Sequence, residues 1–109
     1  MYGTVEFSEE VISKFSRYLP ELEDDPEMLH TQMGYLADGI RNKLGCSNEI
    51  LHFLEGLLQL NDADPEIENA IAISFIELSE LSKLELAEYI PTAVLNVLKE
   101  QQERWRNAT

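Results

Sequence analysis

The chain has 109 residues, 44% of them apolar, and its 21 acidic residues against eight basic ones give a formal net charge of -13. That length and composition can supply one core without metal or disulfide help, and the charge excludes a nucleic-acid phosphate or an anionic membrane as the partner surface. The single cysteine, Cys46, excludes an internal bridge, and MYGTVEFSEE has neither the basic start nor the apolar run of a secretory signal, so a cytoplasmic protein is expected.

Apolar spacing is helical almost throughout. The first predicted helix, residues 8–18, starts at Ser8, carries Val11, Ile12 and Phe15, and is ended by Pro20. Residues 26–44 repeat Leu29, Met33, Leu36, Ile40 and Leu44 at steps of four and three, with Gly45 as the stop. Residues 48–60 follow the N-cap candidate Ser47 and carry Ile50, Leu51, Leu54, Leu57 and Leu58. Residues 65–82 carry Ile67, Ile71, Ser74, Phe75, Leu78 and Leu81, and the capping-box spacing of Ser82 and Glu85 predicts a short separate turn at 83–89. The last helix runs from Pro91 through Val94, Leu95 and Leu98 to Trp105. The expectation is one all-α domain over residues 1–109, a compact bundle of five to six helices, with repeat-like hairpins left open as its internal arrangement. Gly34, Gly39 and Gly56 fall inside helices, where each costs about 1 kcal/mol relative to alanine unless helices approach closely there. Even ILHFLEGLLQL is interrupted by His52, Glu55 and Gln59, so no membrane span is expected.

The acids are concentrated in the middle of the chain. Between Arg17 and Arg41 stand Glu21, Glu23, Asp24, Asp25, Glu27 and Asp38 with no lysine or arginine. Between Lys43 and Lys83 stand Glu49, Glu55, Asp62, Asp64, Glu66, Glu68, Glu77 and Glu80, again with none. Asp25-Pro26-Glu27 and Asp64-Pro65-Glu66 each place a capping acid before a proline at the first helical position and an acid in the first turn. Helix initiation therefore accounts for Asp25, Glu27, Asp64 and Glu66, but not for the surplus of Glu21, Glu23, Asp24, Asp62 and Glu68. The two starts lie 39 residues apart, near the period of some helical repeats, although little else matches.

Several chemistries fail on spacing. Asp62, Asp64, Glu66 and Glu68 take alternate places of a calcium loop, but Ile67 and Ile73 stand where that loop needs a glycine and a bidentate glutamate. Glu27-Met-Leu-His30 and Glu49-Ile-Leu-His52 match the paired motif of di-iron bundles, yet both lie in first turns of consecutive helices, roughly 25 Å apart in an antiparallel hairpin. Cys46 could sit at a helix start that lowers its pKa, but it lacks a basic partner beyond Lys43 and reads as a buried cysteine. With no glycine-rich phosphate loop and two scattered histidines, neither an enzyme nor a cofactor or metal site is expected.

What remains is an acidic surface on a small helical scaffold, suited to fast capture of a cationic protein. In size, in lacking a signal, in the acidic junctions LEDDPE and NDADPE and in EYIPTAVLNVLKEQQERWRN, the chain resembles the small acidic immunity proteins that bacteria make against nuclease toxins, of the colicin and contact-dependent growth-inhibition types. The last stretch is similar to the colicin-immunity arrangement of a turn tyrosine, a proline and a final helix, with Tyr89 as the turn tyrosine and Trp105-Arg106 at the helix end. It departs from that arrangement in that Pro91 leads straight into the helix, without an acidic linker, and in an apparent extra helix, which favours a different immunity family. The resemblance implies a non-catalytic inhibitor of a basic toxin domain, with Glu23, Asp24, Asp25, Asp62, Asp64, Glu66, Glu68 and Tyr89 as candidate partner-binding residues. A nucleic-acid mimic would show its charges as a long stripe instead, and a helical adaptor would bind through a concave face with little salt dependence.

Overall fold

Every regular element among the described residues, 1–42, 45–75 and 90–107 of a computed structural model, is helical. Five α-helices follow one another: α1 (Thr4–Phe15), α2 (Leu29–Arg41), α3 (Ser47–Leu58), α4 (Pro65–Ala70) and α5 (Thr92–Asn107). A 3-10 turn, Pro20–Glu23, lies between α1 and α2, and a π-helical turn, Ile71–Phe75, continues α4. The expected all-α bundle is thus what this chain forms. The far half of the helix predicted over 65–82 and the turn at 83–89 fall outside the described residues.

Helix boundaries were less legible than the apolar stripes. α1 begins at Thr4 rather than Ser8, with the Glu6 carboxylate accepting the Gly3 backbone N–H at 3.3 Å. Ser8 is buried within that helix and serves a tertiary contact instead. α2 begins at Leu29 rather than 26, because Glu27 adopts φ 64°, a left-handed conformation that breaks any helix starting at Pro26. α3 is preceded by Cys46, so Ser47 is its first helical residue, and the Ser47 hydroxyl donates to the Gly39 carbonyl at 3.4 Å. α4 starts at Pro65 as predicted, with Asp64 Oδ1 accepting the Glu66 N–H at 3.0 Å, and α5 starts at Thr92, one residue after the predicted Pro91. Residues 25–27 and 64–66 are therefore not equivalent in structure, although their sequences match.

The apolar stripes read from the sequence do form the core. Phe7, Val11 and Phe15 of α1, Met33, Leu36 and Ile40 of α2, Ile50, Leu51 and Leu54 of α3, and Ile67 and Ile71 of the fourth helical segment are all buried, joined by Val94 and Leu98 of α5. Phe53 packs its ring against Phe7 and Phe15 at centroid separations of 6.2 and 5.7 Å. α2 occupies the middle, touching α1, α3, α4 and the π-helical turn. At Gly39 an added Cβ would lie 3.1 Å from Ile50 Cδ1, so this glycine does allow α2 and α3 to approach closely. Gly56 has open space around it, and close packing does not account for it.

α5 has an unusual start. Its first N–H groups are met by a side chain from another helix: the Glu55 carboxylate of α3 accepts from Ala93 at 2.8 Å and from Val94 at 3.1 Å. A carboxylate at that end also complements the helix dipole. Glu55, counted in the sequence among the surface acids, therefore docks α5 onto α3.

Candidate partner-binding surface

The segment Pro20–Met28 carries five of the acids and folds back along α2, held by three side chains from its neighbours. Leu22 is fully buried, and its carbonyl accepts from Gln32 Nε2 of α2 at 3.2 Å. The Glu27 N–H donates to Ser8 Oγ of α1 at 2.8 Å, which offsets the left-handed conformation there. Asp25 Oδ2 accepts from the Tyr35 hydroxyl of α2 at 2.6 Å. Asp25 is thus a tertiary anchor, not the helix cap that its proline neighbour suggests. Glu21, Glu23, Asp24 and Glu27 are left exposed. Among the described residues the carboxylates of Glu21, Glu23 and Asp24 make no hydrogen bond or ion pair. Their charge is still felt locally. The Tyr35 hydroxyl is pushed up to about 12, first by its hydrogen bond to Asp25, then by burial, and then by the charges of Asp25, Glu21 and Asp24.

The second acidic segment is built differently. Tyr2 pairs with Ala63 as an isolated parallel bridge, its N–H donating to Asp62 O and its carbonyl accepting from the Asp64 N–H, both at 2.7 Å. The Asp62 carboxylate lies 3.3 Å from the Met1 ammonium. Asp64 caps α4, and Glu66 accepts from Asn69 Nδ2 at 3.3 Å and faces His30 Nε2 at 3.5 Å. Glu68 is exposed beside a groove with Asn69, Gln101 and Arg104. Most carboxylates here already serve the chain's own backbone or side chains.

His30 joins the two regions. It stands in the first turn of α2, just after the first acidic segment, and reaches Glu66 in the first turn of α4 and, through Nδ1, Ser74 Oγ of the π-helical turn at 2.7 Å. Its partner is therefore not Glu27, and the Glu-x-x-His pairs separate: His52 lines another groove with Lys14, Phe15, Glu49 and Phe53. Ser74, His30 and Glu66 have the residue types of a hydrolytic relay. The three are engaged with one another across the helices, however, and the contact reads as a clamp between α2 and α4. No group of three or more His, Cys, Asp or Glu among the described residues is arranged to hold a metal ion. The Cys46 thiol is buried, which raises its pKa and makes it a poor nucleophile.

The structure thus keeps Glu23 and Asp24 exposed with Asp25 as their anchor, and places Asp62, Asp64, Glu66 and Glu68 at the start of α4. Tyr89 lies outside the described residues. Sequence reasoning missed Tyr35 and Gln32 and gave Ser8 and His30 other roles. None had a local signal, because each acts on a residue between 10 and 44 positions away along the chain. No helix among the described residues is long and apolar enough to cross a membrane. No family model, curated protein or solved structure matches the chain.

Proposed function

We propose that this protein is a non-catalytic acidic binder that captures and neutralises a basic protein domain, a nuclease toxin domain first among them, in the manner of an immunity protein. The observation that carries the reading is the anchored segment 20–28: Glu21, Glu23 and Asp24 project from a loop fixed by Ser8, Gln32 and Tyr35, without partners among the described residues. A loop backbone held in place presents these charges without further ordering of the loop when a cation arrives, and they steer it during approach.

The test is capture and inhibition. The immobilised protein is exposed to a low-salt extract of its source organism, and what elutes with salt is identified and assayed for nuclease activity with and without added protein. The reading expects a basic polypeptide at one-to-one stoichiometry whose activity disappears on mixing. Its association should slow about tenfold or more between low and physiological salt, with dissociation little changed. A partner displaced by DNA would indicate nucleic-acid mimicry, and salt-independent binding would sink the acidic-capture reading.

A further inference from the structure

Beside the anchored loop runs a groove of about 270 Å³ lined by Tyr18, Leu19, Glu21, Tyr35, Asp38 and Asn42. Its apolar wall is made by two tyrosine rings and the buried side of Leu19, with Tyr18 37% exposed. Its rim is acidic. Asp25 is committed to the Tyr35 hydroxyl and Asp38 to Arg41 at 2.6 Å, whereas Glu21, with Asp24 behind it, has no such partner among the described residues.

The chain itself gives an example of a cation paired with the Tyr18 ring, from a neighbouring residue outside the groove's lining. The guanidinium of Arg17, an exposed side chain, lies 5.2 Å from the centroid of the Tyr18 ring and donates to the Tyr18 hydroxyl at 3.2 Å. A planar cation on an aromatic face beside carboxylates is a pairing in which guanidinium outperforms ammonium, because it stacks and donates two parallel hydrogen bonds at once. Glu23 and Asp24 continue the negative surface beyond the groove, so neighbouring basic residues on the same partner would also be met. A free small cation would gain nothing from that continuation.

We infer that this groove, and not the acidic start of α4, is where the basic partner docks, seating an arginine side chain against Tyr18 and Tyr35 with Glu21 as its counter-ion. The inference rests on the proposed capture of a basic protein and adds where and through which side chain that capture occurs.

The experiment titrates the full-length, isotope-labelled protein at low salt with a short capped peptide of alternating glycine and arginine, and with its lysine and citrulline counterparts. Backbone and tyrosine-ring resonances are followed by NMR. Shifts centred on Tyr18, Tyr35 and Asp38, with arginine binding more tightly than lysine and citrulline not binding, support the groove. Tyr18→Leu should then weaken the arginine peptide about three- to fivefold, as expected for an exposed cation–π contact. The control pair Asp62→Asn with Glu68→Gln should change it by less than about twofold. Since Tyr18 and Glu68 are exposed, both variants should keep the helix content of the parent, and circular dichroism checks this. Shifts centred on residues 62–68, or an unchanged affinity in Tyr18→Leu, overturn the groove while leaving acidic capture standing. An arginine peptide that binds nowhere at low salt overturns both.

Discussion

Asp25-Pro26-Glu27 and Asp64-Pro65-Glu66 are the same tripeptide in two settings. In the second, local chemistry decides the outcome: the aspartate caps, the proline opens α4, and Ile67 drops into the core one residue later. In the first, tertiary contacts override it. Leu22 must reach the core and the segment must turn back onto α2, so Asp25 is drawn to Tyr35 and Glu27 is held left-handed by Ser8. A helix-start signal is therefore a preference of order 1 kcal/mol, which one buried leucine can outweigh. The functional contrast follows. Where the signal succeeds, the acids serve the fold. Where it fails, several remain exposed, the carboxylates of Glu21, Glu23 and Asp24 without a hydrogen bond among the described residues.

Mutations can separate the two settings, and the largest effect should come from the anchor of the first. Leu22 is fully buried, so Leu22→Ala should cost about 2–5 kcal/mol in chemical denaturation. It should also raise amide exchange at Gln32 and Glu27 before it touches α4. If α4 loosens equally, the loop is not a separately anchored unit. Next in size is Asp64→Ala, expected to cost about 1 kcal/mol through loss of the α4 cap. Asp25→Ala should leave the helix content of α2 unchanged, because Asp25 does not cap it.

Opposite signs are expected one step further down. At Glu27, φ 64° penalises any side chain, and Glu27→Gly should stabilise the protein by about 0.5–1 kcal/mol. Glu66 occupies the first turn of α4, where its charge favours the helix dipole and its backbone is helical. Glu66→Gly should therefore destabilise by about 1 kcal/mol. Equal signs in thermal or denaturant unfolding would mean that the two tripeptides share one backbone conformation after all.

How much of this was legible follows the same division. The stripes Leu29–Met33–Leu36–Ile40 and Ile50–Leu51–Leu54–Leu57 could be read directly, since period and burial are properties of one segment. The Asp64 cap was local and was read correctly. Ser8 was read as a helix start and Ser47 as a cap because serine favours such places, but both are spent on contacts outside their own turn, with Glu27 and Gly39. Glu55 looked like one more surface acid, and its role as the cap of α5 depends on a residue 38 positions ahead. The acidic character of residues 21–27 was plain from composition. That the loop is pinned, and that two tyrosines line its flank, became visible only once α1 and α2 were packed together.

The smallest effect is also the most specific. Tyr35 is held protonated by Asp25 and by the surrounding carboxylates, its pKa moving from the ordinary 10.0 to about 12. A group that binds its proton more tightly in the folded state gives a stability contribution that is complete below the unfolded pKa and lost as pH rises to the folded one. The protein should therefore keep this contribution at neutral pH and lose it between about 10 and 12. The Tyr35 ring resonances, followed by NMR in the parent, should show it ionising late. In Asp25→Asn the same titration should move downward, because the nearest charge is gone and the hydroxyl is left with a neutral, weaker acceptor while Glu21 and Asp24 remain. If the Tyr35 titration is unmoved by Asp25→Asn, the hydroxyl does not hold the first acidic segment. The contrast between a pinned acidic loop and a merely capped helix would then rest on Ser8 and Gln32 alone.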